Sequence, residues 1–153
     1  MFVPTNIVMT KVTIKLAREL VVQSMRTVQI ITAELSCALH PHGLTIQQFN
    51  VLRILRGCHG KAATLQFVTE RMIHKMSNTT RLVDKLIEKK LVARKQCEEN
   101  RRKIDLLITP QGLALLQTLD PIIDEKEMEI ARGIQVADID QLLTTYKTIQ
   151  SKY

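Results

Sequence analysis

The stretch SNTTRLVDKLIEKKLVARK, residues 77–95, predicts an amphipathic helix followed at once by a strand. Ser77 is a suitable N-cap, and the helix is expected to run from there to about Lys90. Residues 91–95 then have the character of a strand. At 100° per residue, one side of the helix collects the residues expected to face the core, which are Thr79, Leu82, Val83, Leu86 and Ile87.

The exposed side of this helix carries groups that suit a nucleic acid. Its N-terminal half holds hydrogen-bond donors, whereas the acidic Asp84 and Glu88 come later. A helix N-terminus favours anions, and side chains of these types bind phosphates and base edges. A purely solvated helix would not need this polarity. The candidate contacts on the helix are Ser77, Asn78, Thr80, Arg81 and Lys85.

A second strand is predicted a few residues further on. Ile104, Leu106 and Ile108 occupy alternate positions, as in a half-buried strand. The loop between the two strands covers residues 96–102, with Arg101 and Arg102 near its tip. A two-stranded hairpin directly after a helix-turn-helix is a wing.

Two short helices are expected upstream. Thr45 and Gln48 have the spacing of a capping box, which opens the first of them. The second is predicted from about Thr64 through Met72. Together with the helix at residues 77–90 they make up the helix-turn-helix.

Longer helices are predicted at both ends of the chain. Apolar residues recur at helical spacing from Thr13 to about Leu39 without an intervening Gly or Pro. A helix of this length usually needs a partner outside its own fold, which points to a dimer. Thr109 and Pro110 open another helix, in which Pro121 should cause a kink or a break. A last helix is expected after the end of that one.

The predicted fold class is mainly α with a small β-hairpin wing. A winged helix-turn-helix is expected at residues 44–110, between an N-terminal dimerisation helix at 1–40 and C-terminal dimerisation helices at 111–153. A chain of 153 residues fits one domain with an oligomerising extension.

The excess positive charge is concentrated in one window. Residues 71–103 hold eleven Lys or Arg and four Asp or Glu residues, which equals the net charge of +7 for the whole chain. A localised block of this kind is typical of a polyanion contact. A solvated face or an anionic membrane surface would be the alternatives, but a membrane contact needs apolar bulk opposite the basic face.

Composition excludes several other classes of function. Aromatic residues make up 3% and Trp is absent, which argues against a stacking platform for single strands or sugars. The longest uncharged stretch, residues 35–52, contains Pro41 and Gly43 and cannot span a bilayer. The N-terminus has no secretory leader, so we expect a cytoplasmic protein without a membrane partner. Three cysteines, an odd number, fit reduced thiols.

Three segments of the chain follow one another in a characteristic order. They are Leu44-Thr45-x-x-Gln48-x-x-Val51-Leu52, Arg81-Leu82-Val83-Asp84-Lys85-Leu86 with Lys89-Lys90-Leu91-Val92 and Arg94, and Asn100-Arg101-Arg102 with Leu107-Ile108-Thr109-Pro110-Gln111-Gly112. Together they resemble the helix opening, the recognition helix with its first wing strand, and the wing tip of the MarR family of bacterial winged-helix transcription regulators. The resemblance covers residues 44–116 by motif and the whole chain by element order.

The resemblance implies a homodimer with two-fold symmetry, in which each recognition helix enters the major groove of a pseudo-palindromic operator in double-stranded DNA. Each wing would reach the minor groove. It also implies repression relieved by a small-molecule or stress signal, with an effector pocket between the dimerising helices and the winged domain. Arg81 is the strongest candidate contact, whereas Asn78 and Thr80 are alternatively cap or turn residues. The contacts carried over are Ser77, Asn78, Thr80, Arg81, Lys85, Arg101 and Arg102.

Three positions depart from the family pattern. Lys90 stands where the family usually has Gly, so the helix exit must form without the residue that most easily adopts a left-handed conformation. Ile73 replaces a small residue in the turn before the recognition helix. Asn100 replaces an Asp that commonly pairs with the Arg two residues on, which removes an orienting ion pair from Arg102 and leaves the tip more positive.

Other chemistry has weaker support. Cys37, His40 and His42 are zinc-compatible residues, but their spacing matches no strong zinc pattern. Cys97 and Cys58 are candidates for oxidation, with an inert thiol as the plainer interpretation. No phosphate loop or paired nucleophile and base is present, so neither an enzyme nor a cofactor is expected. The competing hypothesis is a winged-helix module whose basic face binds an acidic protein, without a specific operator.

Overall fold

Helices account for most of the chain in the computed structural model, which describes residues 12–73, 78–96 and 104–153. These ranges hold α1 (Ile14–Leu39), a 3-10 turn (His40–His42), α2 (Ile46–Arg56), β1 (Ala63–Thr64), α3 (Leu65–Arg71), α4 (Thr79–Glu88), β2 (Val92–Gln96), β3 (Ile104–Ile108), α5 (Pro110–Ala131) and α6 (Val136–Gln150).

The strands form one antiparallel sheet in the order β1-β3-β2. The predicted hairpin of β2 and β3 is present, and Val92 pairs with Ile108 across it. The third strand, β1, corrects the prediction of a two-stranded hairpin, because Ala63 pairs with Leu106 on the other side of β3. Two residues are too few for a periodic signal, so the sequence gives no sign of it. Gln96 lies in β2 and not in the loop.

Side-chain caps fix the starts of α2 and α5 where the sequence placed them. The Thr45 hydroxyl accepts from the Gln48 N–H at 3.2 Å, and the Gln48 side chain accepts from the Thr45 N–H at 3.1 Å. This reciprocal pair is the predicted capping box. Thr109 caps α5 by accepting from the Gly112 N–H at 3.0 Å.

Helix α5 continues through Pro121 without interruption, so of the two expected outcomes the break does not occur. Pro121 removes one hydrogen bond of the helical ladder. Leu119 and Ile123, on either side of it, are buried in the core and hold both halves of the helix against the winged helix-turn-helix.

The hydrophobic core lies within the winged helix-turn-helix and the first half of α5. Its fully buried members are Leu39, Val51, Leu52, Leu55, Val68, Val83, Leu86, Val92, Leu106, Leu116 and Leu119. By contrast, Leu39 is the one buried residue of α1, and α6 buries none of its residues. No helix in the described ranges is long and apolar enough to cross a membrane.

Candidate nucleic-acid interface

Helix α4 has the two-sided character that the sequence predicts. Thr79, Val83 and Leu86 are at most 3% exposed and anchor the helix on the core. The helix begins at Thr79 with Asn78 in the N-cap position, one residue later than the predicted N-cap. The outward side therefore presents polar groups to solvent, and the exposed candidates on it are Asn78, Thr80, Arg81 and Lys85.

Not every predicted contact can be placed. Ser77, Arg101 and Arg102 lie outside the described residues, as does Cys97. The Asn78 side chain is exposed and makes no capping hydrogen bond, so its amide is not used by the helix backbone. Structure thus brings together four of the seven candidates, all on one helix face.

The cations of residues 71–103, the basic window, differ in whether they make contacts within the protein. Arg71 stacks on the Phe67 ring at 3.5 Å from its centroid, and Lys89 donates a hydrogen bond to the Gly43 carbonyl. Arg81 and Lys85 are exposed, and neither side chain has a hydrogen bond or ion pair among the described residues. Their charges are consequently available to an external anion.

An ion pair connects α4 to the first wing strand. The Arg94 guanidinium donates to the Asp84 carboxylate, and both side chains are a little under half exposed. The partners are ten residues apart in sequence and lie on different elements. The sequence showed both charges but not their contact, since no local spacing rule links a helix to the following strand.

The exit from α4 is a tight left-handed turn at Lys90. Its φ is +61°, a conformation that costs a residue with a Cβ about 1–2 kcal/mol. The Leu91 N–H donates to the Leu86 carbonyl at 2.9 Å and the Lys90 N–H to the Ile87 carbonyl at 2.8 Å, the two bonds of a Schellman motif. Lys90, which stands where the MarR family usually has Gly, therefore strains the backbone at the point where α4 meets β2.

The same turn is clamped by the start of α5. The Thr109 hydroxyl donates to the Lys90 carbonyl at 2.8 Å, and the Thr109 N–H donates to the Leu91 carbonyl at 3.1 Å. A Cβ placed on Gly112 would lie 2.4 Å from the Leu91 carbonyl oxygen. Gly112 is thus required for this close approach, which sets the position of the helix exit relative to α5.

A mostly apolar cavity of about 310 Å³ lies between α1 and α2. Three uncharged polar side chains, Thr32, Gln47 and Asn50, contribute to its wall, and none of the residues that line it is charged. The sequence placed none of these residues in a pocket, although it singled out Met72 and Ile73 for other reasons, because the lining comes from three segments that only the fold brings together. The apolar wall consists of Val28, Ile31, Leu35, Ile46, Met72 and Ile73.

The candidate metal and redox residues form no site in the described part of the chain. No group of three metal ligands is found there, which includes Cys37, His40 and His42. The Cys58 thiol is half-buried beside a cavity of about 480 Å³ and donates to the Ile54 carbonyl at 3.4 Å.

Comparisons with known proteins agree with this architecture. The family model for the MarR family matches residues 44–104. The HTH-type transcriptional regulator MhqR of Bacillus subtilis (strain 168) is 34% identical over 83 residues, which cover 54% of this chain and 56% of that protein. The match therefore spans little more than half the length of this relative.

Two solved structures show the fold. A putative MarR-like transcription regulator from Bacillus cereus ATCC 10987 has a TM-score of 0.80 at 17% identity, over 86% of this chain and 96% of that one. BpsR of Bordetella bronchiseptica, whose DNA binding is regulated by 6-hydroxynicotinic acid, has a TM-score of 0.76 at 23% identity, over 84% and 90%. The family match, the curated relative and the shared fold agree: the winged helix-turn-helix of this chain is similar to that of the MarR family, and the chain has the fold of solved MarR-like regulators.

Proposed function

We propose that this protein is a cytoplasmic, dimeric transcriptional regulator that binds a specific double-stranded DNA site and acts as a repressor. The observation that carries the proposal is the outward face of α4, where the exposed cations Arg81 and Lys85 have no partner in the described ranges. An α-helix of this kind fits the major groove, where Arg recognises guanine by two hydrogen bonds and Lys contacts phosphate.

The roles of individual residues follow from their chemistry. Arg81 is the principal base contact, and Asn78 and Thr80 lie near it at the N-terminal end of α4. Ser77 would extend this row, while Arg101 and Arg102 would bring the wing to the minor groove. These assignments rest on residue type and on the similarity of residues 44–104 to the MarR family.

A homodimer follows from the apolar side chains that the single chain leaves exposed. Ile14 and Met25 on α1 are 80% and 69% exposed, and Val136 on α6 is 75% exposed. None of the residues that the structure describes covers these faces, and burial of such faces by a second copy is the usual solution. A two-fold axis would place two copies of α4 on a pseudo-palindromic operator.

The cavity between α1 and α2 is the candidate effector site. It joins a helix of the proposed dimer interface to the winged region, so a ligand bound there would shift one relative to the other. BpsR is regulated by a small molecule, which supports a ligand-responsive repressor. The uncharged lining favours a mostly apolar effector. Neither an enzymatic reaction nor a cofactor is part of the proposal.

Fluorescence anisotropy against selected and random duplex pools, across a salt series, tests the proposal. We expect a pseudo-palindrome to be enriched and bound about 10³-fold or more tightly than random duplex. Arg81→Ala should weaken binding to that site by roughly 30-fold or more, because it removes one bidentate base contact from each protomer of the proposed dimer and each is worth about 1–3 kcal/mol. Lys152→Ala, which removes the same charge near the end of the chain, should change it little.

The competing function is an interaction module without an operator. It requires DNA binding that is weak, equal for all sequences and abolished by modest salt. Enrichment of no site, together with equal effects of Arg81→Ala and Lys152→Ala, would favour that module over the repressor.

A further inference from the structure

Two carboxylates lie on α4 among the cations of the basic window, and the protein uses them differently. Asp84 accepts a hydrogen bond from Arg94, whereas the exposed Glu88, one turn further on, has no partner within the described residues. Removing either carboxylate changes the net charge of the helix equally. Only the removal of Asp84 also releases an arginine, Arg94, from its ion pair.

The released arginine would stand on the proposed DNA face. Asp84 follows Thr80 by four residues and Arg81 by three, and residues at these spacings share one side of a helix. The Arg94 guanidinium is held at that position from β2, and its side chain is 42% exposed. A phosphate backbone lying against Arg81 would therefore also come close to Arg94.

The ion pair contributes little to holding the fold together. Pairs exposed to this degree are screened by water and salt and are weak in measured cases. Helix α4 is already anchored by Val83 and Leu86, which are fully buried. A role in stability thus gives a poor account of why Asp84 is placed on a surface that is otherwise positive.

We propose that Asp84 limits sequence-independent DNA binding by holding the Arg94 cation within the protein. A free guanidinium at this position would replace a counterion on a DNA phosphate and add affinity for every sequence alike. When the Arg94 guanidinium is bound to Asp84 it is less available to phosphate, so the affinity for DNA depends more on the contacts of Arg81 with bases. This role rests on the proposed function, since it presupposes that α4 contacts DNA.

Three variants of the full-length protein test the role: Asp84→Asn, Glu88→Gln as the charge-matched control, and the double variant Asp84→Asn with Arg94→Gln. The affinity for random duplex is measured between 50 and 200 mM salt. Each additional phosphate contact steepens the slope of log affinity against log salt by about 0.9, an extra loss of about three-fold over this range, and the proposed dimer can gain one such contact from each copy of Arg94. We expect that change for Asp84→Asn, no change of slope for Glu88→Gln, and the wild-type slope for the double variant.

Two results would overturn the inference. One is an equal slope for Asp84→Asn and Glu88→Gln, which would mean that only net charge matters. The other is weaker random-duplex binding by Asp84→Asn, which would mean that Asp84 positions Arg94 for DNA. Unchanged thermal unfolding of the three variants verifies that the fold is intact. The proposed function fails separately, if the wild-type protein selects no site at all.

Discussion

The winged region and the helical ends of this chain differ in what they need from a partner. The winged region, residues 39–123, holds every buried hydrophobic residue found in the described ranges. The helical ends, namely residues 14–34 of α1 together with α6, bury none of their side chains. One region can therefore fold on its own core, while the other has amphipathic helices that reach stability only when a second surface covers them.

A small ionic network marks the border between these regions. Lys126 on α5 donates to Glu129 at 2.7 Å and lies 3.6 Å from Glu34 on α1. The hydrogen bond and charge of Glu129 raise the pKa of Lys126, and the same contact lowers the pKa of Glu129. Both groups stay ionised at neutral pH, so this ion pair within α5 persists there.

The largest effect is expected from a charge placed on the helical ends. Leu142 lies on the apolar side of α6 and is 46% exposed, so Leu142→Asp would bury a carboxylate in the proposed dimer interface. We expect dissociation to monomers, because an unpaired buried charge is strongly unfavourable. Affinity for a two-half-site operator should fall by about 10²-fold or more, since bivalent binding is lost. Sedimentation equilibrium and anisotropy measure the two effects.

Thr148→Asp is the matched control, because Thr148 is exposed on the opposite side of the same helix. It should remain dimeric and bind DNA normally. A dimeric Leu142→Asp protein would show that α6 is not part of the interface, and the contrast between the two regions would lose its proposed explanation.

The next largest effect concerns the winged region. Gly112→Ala places a methyl group 2.4 Å from the Leu91 carbonyl oxygen and 2.9 Å from the Ile108 side chain, so the backbone must shift. We expect a loss of about 2–3 kcal/mol, which lowers Tm by roughly 5–10 °C at fixed protein concentration. Gln111→Ala, one residue earlier on the exposed side of α5, should leave Tm nearly unchanged. A tolerated Gly112→Ala would contradict the close approach of α5 to the helix exit.

The sequence predicts local structure well and contacts between elements poorly. The capping box of Thr45 and Gln48 and the buried side of α4 are confirmed, because each depends on spacing within one helix. Strand β1 is missed because two residues carry no period. The pairing of Asp84 with Arg94 is missed too, because it depends on how β2 crosses α4.

For the candidate site, too, the sequence predicts features within one helix but not the contacts between elements. That Arg81 and Lys85 face outward was predictable from helical angles, and the structure adds that neither has a partner among the residues it describes. Cavity residues such as Asn50 come together only in three dimensions, so no pattern could indicate them. The DNA contacts themselves, including those of Ser77, Arg101 and Arg102, stay predictions.

The smallest effect should be a gain of stability confined to the winged region. Lys90 adopts a left-handed conformation at φ +61°, which glycine tolerates without a Cβ clash. Lys90→Gly should therefore raise stability by about 1 kcal/mol, or Tm by about 2–4 °C. Lys90→Ala removes the same charge but keeps the Cβ, so it should give no such gain. Dimer dissociation should be equal in all three proteins. A lower stability of Lys90→Gly would mean that the lysine side chain contributes more to stability than its backbone strain costs. A higher Tm with unchanged dimer dissociation would show that the winged region is stabilised independently of the helical ends.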